Sequence, residues 1–155
     1  MKKEYKVAII MGSDSDRDAM DHCGRILSFL KIPYEMEVMS AHRDPDRVDA
    51  FAREAEARGI KVVIAGAGMA AALPGVVAAR TLLPVIGVPL AGSPLNGQDA
   101  LYSIVQMPPG IPVATVAIGS AGAKNAAVLA AEILALTDPA IRERLVDFRS
   151  RGCKI

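Results

Sequence analysis

A chain of 155 residues, 52% hydrophobic and 23% charged, has the length of one domain and ample apolar side chain for a buried core. Its formal net charge of +1, without a basic run, gives no electrostatic reason to expect nucleic acid or an anionic membrane as partner, so the expected ligand is small. Aromatics make up only 4% and Trp is absent, which leaves Ala, Val, Ile and Leu to build closely packed layers.

The opening Met1-Lys2-Lys3-Glu4 runs into an apolar pattern with neither a signal-peptide core nor a cleavage site. Later apolar stretches are broken by Gly, Pro or charge before the ~20 residues of a membrane-spanning helix. With Cys23 and Cys153 read as free thiols, a cytoplasmic protein is expected.

Residues 6–11 form a continuous apolar run closed by Gly12, as in a strand buried on both faces. Ala19, Met20, Cys23, Leu27 and Leu30 then recur at helical spacing, and Pro33 marks the stop. A second strand is predicted over 34–39. Asp44-Pro45 supplies an N-cap and a first-turn proline for a helix buried through Val48, Phe51, Ala52 and Ala55, which Gly59 ends. Strands follow at 61–65, 84–88 and 113–118, with helices beginning near Ala70, Asp99 and Ala123. One bond of the Pro-rich connection at 107–112 is a candidate for the cis form.

The helix predicted over 123–136 is apolar almost all round, which implies burial against another subunit. A last amphipathic helix at about 139–151, with Ile141, Leu145 and Phe148 on one stripe, is expected to pack on a neighbouring subunit or on the sheet edge. No linker or repeat divides the chain, so residues 1–155 read as one domain. Alternating strands and helices with right-handed crossovers give an α/β fold: a flavodoxin-like, three-layer αβα sandwich on a parallel five-stranded sheet of order 2-1-3-4-5.

In such sheets the ligand lies beyond the carboxyl ends of the strands, where the strand order reverses. Three loops meet that condition. Gly12-Ser13-Asp14-Ser15-Asp16 combines hydroxyls, carboxylates and helix-start amides, suited to a phosphorylated sugar; the same residues are ordinary helix caps, and this loop alone leaves both readings open. Ser40-Ala41-His42-Arg43 adds the cation that a phosphate needs and a side chain that gives and accepts protons at neutral pH. His22 falls inside the first helix and is read as structural.

The third loop, Gly66-Ala67-Gly68-Met69-Ala70-Ala71-Ala72-Leu73-Pro74-Gly75, matches a dinucleotide fingerprint literally but follows the wrong strand and lacks the acid ~20 residues later. A nicotinamide cofactor is therefore not expected. The loop either packs a helix closely on the sheet or lines a pocket for an uncharged molecule such as CO2, with the following helix start offering amides to an anion. Residues 92–97 read as a fourth wall or an ordinary turn.

Taken together, Met11-Gly12-Ser13-Asp14-Ser15-Asp16, Ser40-Ala41-His42-Arg43, Gly66-Ala67-Gly68 and Ser103-Ile104-Val105-Gln106-Met107-Pro108 resemble the N5-carboxyaminoimidazole ribonucleotide (N5-CAIR) mutase family over residues 6–149. The resemblance implies an isomerase of de novo purine (IMP) biosynthesis that converts N5-CAIR to 4-carboxy-5-aminoimidazole ribonucleotide (CAIR). It also implies a homo-octamer with no metal or organic cofactor. Carried onto this sequence, it makes His42 the general acid and base. Ser13, Asp16 and Arg43 become ribonucleotide-binding residues, and Gly12, Asp14, Ser15, Ser40, Ala41, Gly66, Ala67, Gly68, Ala70, Ala71 and Leu73 candidate pocket residues.

A related carboxylase that uses free CO2 has Lys after the loop histidine, so Arg43 resembles the mutase branch. The family commonly reads Gly-Gly-Ala-Ala-His-Leu-Pro at 68–74, and its second histidine is replaced here by Ala72. The alternatives are the carboxylase, another nucleotide carboxylase, or a flavodoxin-like binding or receiver module. A receiver would need Asp near Gly66 and Lys near Gly119, and a flavin module would need aromatics to stack on its ring. Two scattered cysteines and two separated histidines make no recognisable metal-ligand set.

Overall fold

The computed structural model describes residues 4–155; residues 1–3, part of the N-terminal stretch read above as carrying no export signal, lie outside the described residues. Five strands, β1 (Val7–Met11), β2 (Tyr34–Val38), β3 (Val62–Gly68), β4 (Val85–Leu90) and β5 (Ala114–Thr115), pair in parallel in the order β2-β1-β3-β4-β5. The described residues also form six α-helices: α1 (Arg17–Phe29), α2 (Pro45–Glu54), α3 (Leu73–Ala78), α4 (Gln98–Val105), α5 (Ser120–Ala135) and α6 (Pro139–Ser150). None is long and apolar enough to cross a membrane among the described residues.

The three expected layers follow from the two-residue alternation of strand side chains. Val7, Ile9, Met11, Val62 and Ile64 point into one core with α1, α5 and α6. Ala8, Ile10, Val63, Ala65 and Ala67 point into the other with α2, α3 and α4. Burial on both faces explains why β1 reads as an uninterrupted apolar run. The edge strand β2 carries Glu35 and Glu37, paired with Arg58 and Arg47, and charge of this kind discourages pairing with a further strand.

Several expectations are corrected. β3 runs on through Gly68, so the first three residues of the expected third loop are strand, and α3 starts at Leu73 rather than near Ala70. Asp44 precedes α2 but makes no side-chain cap bond. β5 has only two residues, although Val116 and Gly119 still donate to Gly87 and Pro89 and prolong its approach to β4. No cis peptide occurs among the described residues. Within the chain α5 packs against α1, α6 and the sheet, with Val128, Leu129 and Ile133 only partly buried. α6 likewise packs on helices of its own chain, with Phe148 against Phe29 at 5.8 Å and Arg149 paired with Glu132.

Asp138 fastens α6. Its carboxylate accepts from the amides of Ala140 (3.1 Å) and Ile141 (3.3 Å) and pairs with Lys6 at 2.9 Å, tying the helix start to the beginning of β1. The bond from Lys6, aided by those amides, holds the carboxyl below the usual carboxylate range. The folded state therefore releases this proton more readily than the unfolded chain. The resulting stabilisation is complete above the ordinary carboxylate value of 3.8 and fades as pH falls through the lower folded value. Asp138→Ala is expected to lower the thermal midpoint at neutral pH, and the gap from the native chain should narrow in acid; a pH series of melting curves checks both.

Candidate active site

The loops after β1, β2 and β3 meet at the carboxyl edge of the sheet around a cleft of about 400 Å³. Its lining includes Gly12, Ser13, Ser15 and Asp16 from the first loop and Ser40, Ala41, His42 and Arg43 from the second. Ala67, Gly68, Met69, Ala70, Ala71, Ala72 and Leu73 form the third wall, and Gly92 after β4 closes the fourth side. This is where β1 lies between β2 and β3, the reversal of strand order at which parallel sheets open a crevice.

Each loop is fixed locally before any ligand arrives. After β1 the chain makes a 3-10 turn over Asp14–Asp16, capped reciprocally: the Ser13 hydroxyl accepts from the Ser15 amide, and Asp16 Oδ2 accepts from the Ser13 amide at 3.1 Å. This reciprocal cap holds Ser13 and Asp16 together, and both line the cleft. The capping and ligand readings of this loop are thus compatible. Burial raises the Asp16 carboxyl above its ordinary value, opposed by the Ser13 amide. In the second loop Ser40 Oγ accepts from the Arg43 amide at 3.2 Å and lies 3.5 Å from Arg43 Nε, holding the turn that displays His42 and Arg43. Both side chains are exposed, and Arg43 forms no ion pair among the described residues.

The third wall is small and apolar. A Cβ on Gly68 would come within 3.2 Å of the Leu90 carbonyl oxygen, so this glycine serves the close approach of β3 and β4. Ala71 and Leu73 are buried. The helix behind them has only six residues and Pro74 in its first turn, which removes one donor. That start therefore offers fewer free amides than a proline-free helix would.

Two of the expected pocket residues are not brought to the cleft. Asp14 points outward and pairs with Arg17 at 3.2 Å. Gly66 sits within β3, where the absence of a Cβ makes room for Met20, so its role is packing. Met69 and Ala72 line the cleft although sequence reasoning gave them no binding role; Gly92 was signalled as part of a possible wall. The segment 103–108 lies on and after α4, away from the cleft, and its Met107 packs against Gly75. His22 stays within α1, as expected.

Chemically, the cleft places a titratable imidazole and a guanidinium opposite hydroxyls and a carboxylate, above a wall with little to offer a charge. That set can hold a phosphorylated sugar and move a proton beside an apolar cavity.

The chain is similar in sequence and fold to known proteins. The AIR carboxylase family pattern matches residues 6–154. The N5-carboxyaminoimidazole ribonucleotide mutase of Pyrococcus abyssi is 60% identical over 144 residues, covering 93% of this chain and 82% of that protein. The protein of the same name from Escherichia coli K12 is 56% identical, covering 93% and 85%. The crystal structure of Treponema denticola PurE superposes with a TM-score of 0.84 at 32% identity, over 95% of this chain and 90% of that one. With the family pattern spanning nearly its whole length, the chain belongs to the AIR carboxylase family.

Proposed function

We propose that the chain is an N5-CAIR mutase, an isomerase of purine biosynthesis that moves a carboxyl group from the 5-amino nitrogen of the aminoimidazole ribonucleotide to C4. The observation that carries the reading is the convergence of His42 and Arg43 with Ser13 and Asp16 on one cleft whose third wall is small and apolar. The names of the 56–60% identical relatives support it. Arg43 and the serine hydroxyls hold the phosphate, and Asp16 accepts from the ribose hydroxyls.

A carbamate loses CO2 readily when it enters a pocket that does not stabilise its charge. The N–C bond breaks with its electron pair returning to nitrogen, His42 donates the proton there, and aminoimidazole ribonucleotide (AIR) and CO2 remain. C4 of the electron-rich ring then attacks the retained CO2. The neutral His42 removes the C4 proton, restoring aromaticity and its own starting charge. One proton leaves the imidazole and one returns. Keeping CO2 beside the ring replaces a bimolecular encounter with a positioned one.

The finer reading includes a cytoplasmic homo-octamer acting with neither metal nor organic cofactor. Comparing N5-CAIR with AIR plus bicarbonate tests the assignment: faster CAIR formation from N5-CAIR, indifferent to added bicarbonate, supports the mutase, and the reverse supports the carboxylase. Arg43→Ala and Asp16→Ala are each expected to weaken AIR binding, by about 10–100-fold for the charge-assisted contacts of Arg43. Calorimetric affinities unchanged in both variants would remove these residues from the pocket.

A further inference from the structure

Met69 is unlike the rest of the wall to which it belongs. Its neighbours Ala67, Gly68, Ala70, Ala71 and Ala72 are small, whereas Met69 carries a long apolar side chain that is 61% exposed at the cleft. Of the large apolar side chains exposed among the described residues, it alone borders this cavity. Its backbone is left-handed, with φ of 55°, a conformation that L side chains adopt rarely. The turn is locked there, because the Ala71 amide donates to the Met69 carbonyl at 2.9 Å and Gly68 is pressed against Leu90. A fixed backbone thus supports an unbranched thioether free to change rotamer.

We propose that Met69 is the side-chain cover of this site: it stands open in the free chain and turns over the bound ring, excluding water and retaining CO2 between the two carboxyl-transfer steps. The proposal rests on the mutase reading and adds to it the residue that sets how much CO2 is lost. An exposed apolar side chain gains by folding onto a ligand, and its small neighbours on the same wall have no bulk of their own with which to close over it. The small residues on either side of it, Ala67, Gly68, Ala70, Ala71 and Ala72, leave room within the cleft of about 400 Å³ for a turned Met69.

The test follows carboxyl retention. N5-CAIR labelled with ¹³C in its carboxyl group is converted in unlabelled bicarbonate buffer containing carbonic anhydrase, with enzyme-free breakdown subtracted. The native chain should pass its label to CAIR. Met69→Ala should release AIR and take up unlabelled carbon about ten-fold more often per turnover, the scale set by one or two methylene-sized groups of lost burial. Its affinity for AIR phosphate contacts, read as binding of ribose 5-phosphate, should stay unchanged. Met69→Leu, which keeps the bulk, should restore retention. If both variants retain label as the native chain does, the cover is overturned while the mutase reading stands; if the native chain makes no CAIR, both fall.

Discussion

Replacing His42 with asparagine is expected to lower N5-CAIR turnover by about 10²–10⁴-fold, the range in which a positioned acid and base contributes to a proton-transfer step. An amide keeps the polarity and approximate size of the imidazole but carries no exchangeable charge, so the carbamate nitrogen receives no proton and the C4 proton has no acceptor. AIR should still bind, because the phosphate and ribose contacts proposed above fall to Ser13, Asp16 and Arg43, which line the cleft alongside His42. The turn itself should survive, since it is held by Ser40 Oγ and the Arg43 amide rather than by the His42 ring. Steady-state rates and calorimetric affinity measured on one preparation separate the two effects. Turnover at the native rate would remove His42 from the chemistry.

Gly122→Ala should produce the largest loss of stability, against its local propensity. In an open helix the exchange favours folding by about 1 kcal/mol. Here Gly122 is buried in the first turns of α5, and an added Cβ would land on the carbonyl oxygen of Ala117, a backbone atom that cannot rotate aside. Relief requires moving α5 away from the segment that leads out of β5, and with it the Ala-rich seam against α1. The cost is expected to be about 3 kcal/mol or more, toward the upper range for overpacking. For a chain of this size that is a fall of roughly 10 °C in the thermal midpoint. An unchanged or raised midpoint would show that α5 is more loosely seated than the geometry implies.

The layer order was legible in the sequence because doubly buried parallel strands leave unbroken apolar runs, as in 7–11 and 62–65, and because Gly and Pro punctuate their ends. The partners of α5 and α6 were not. An all-apolar helix states that it is covered, not by what, and in this chain α1, α6 and the sheet provide much of that cover. The brevity of β5 was hidden for a related reason, since apolar residues signal burial at 113–118 while pairing with β4 depends on where the chain lies.

At the site, the rule that ligands gather where strand order reverses located the three loops, and His42 and Arg43 fall where it placed them. Which side of each loop faces the cleft was beyond that rule. A 3-10 turn separates Ser13 and Asp16 from Asp14, and a methionine sulfur occupies the space beside Gly66. Met69 was hidden by its residue type, because a left-handed backbone is anticipated at glycine and not at methionine.

Whether His42 beside this cleft relocates a carboxyl group is decided by mixing the purified chain with N5-CAIR and recording ultraviolet absorbance. The spectrum of CAIR should grow in without added bicarbonate, metal or cofactor. Accumulation of AIR alone, or no change beyond enzyme-free breakdown, would contradict it.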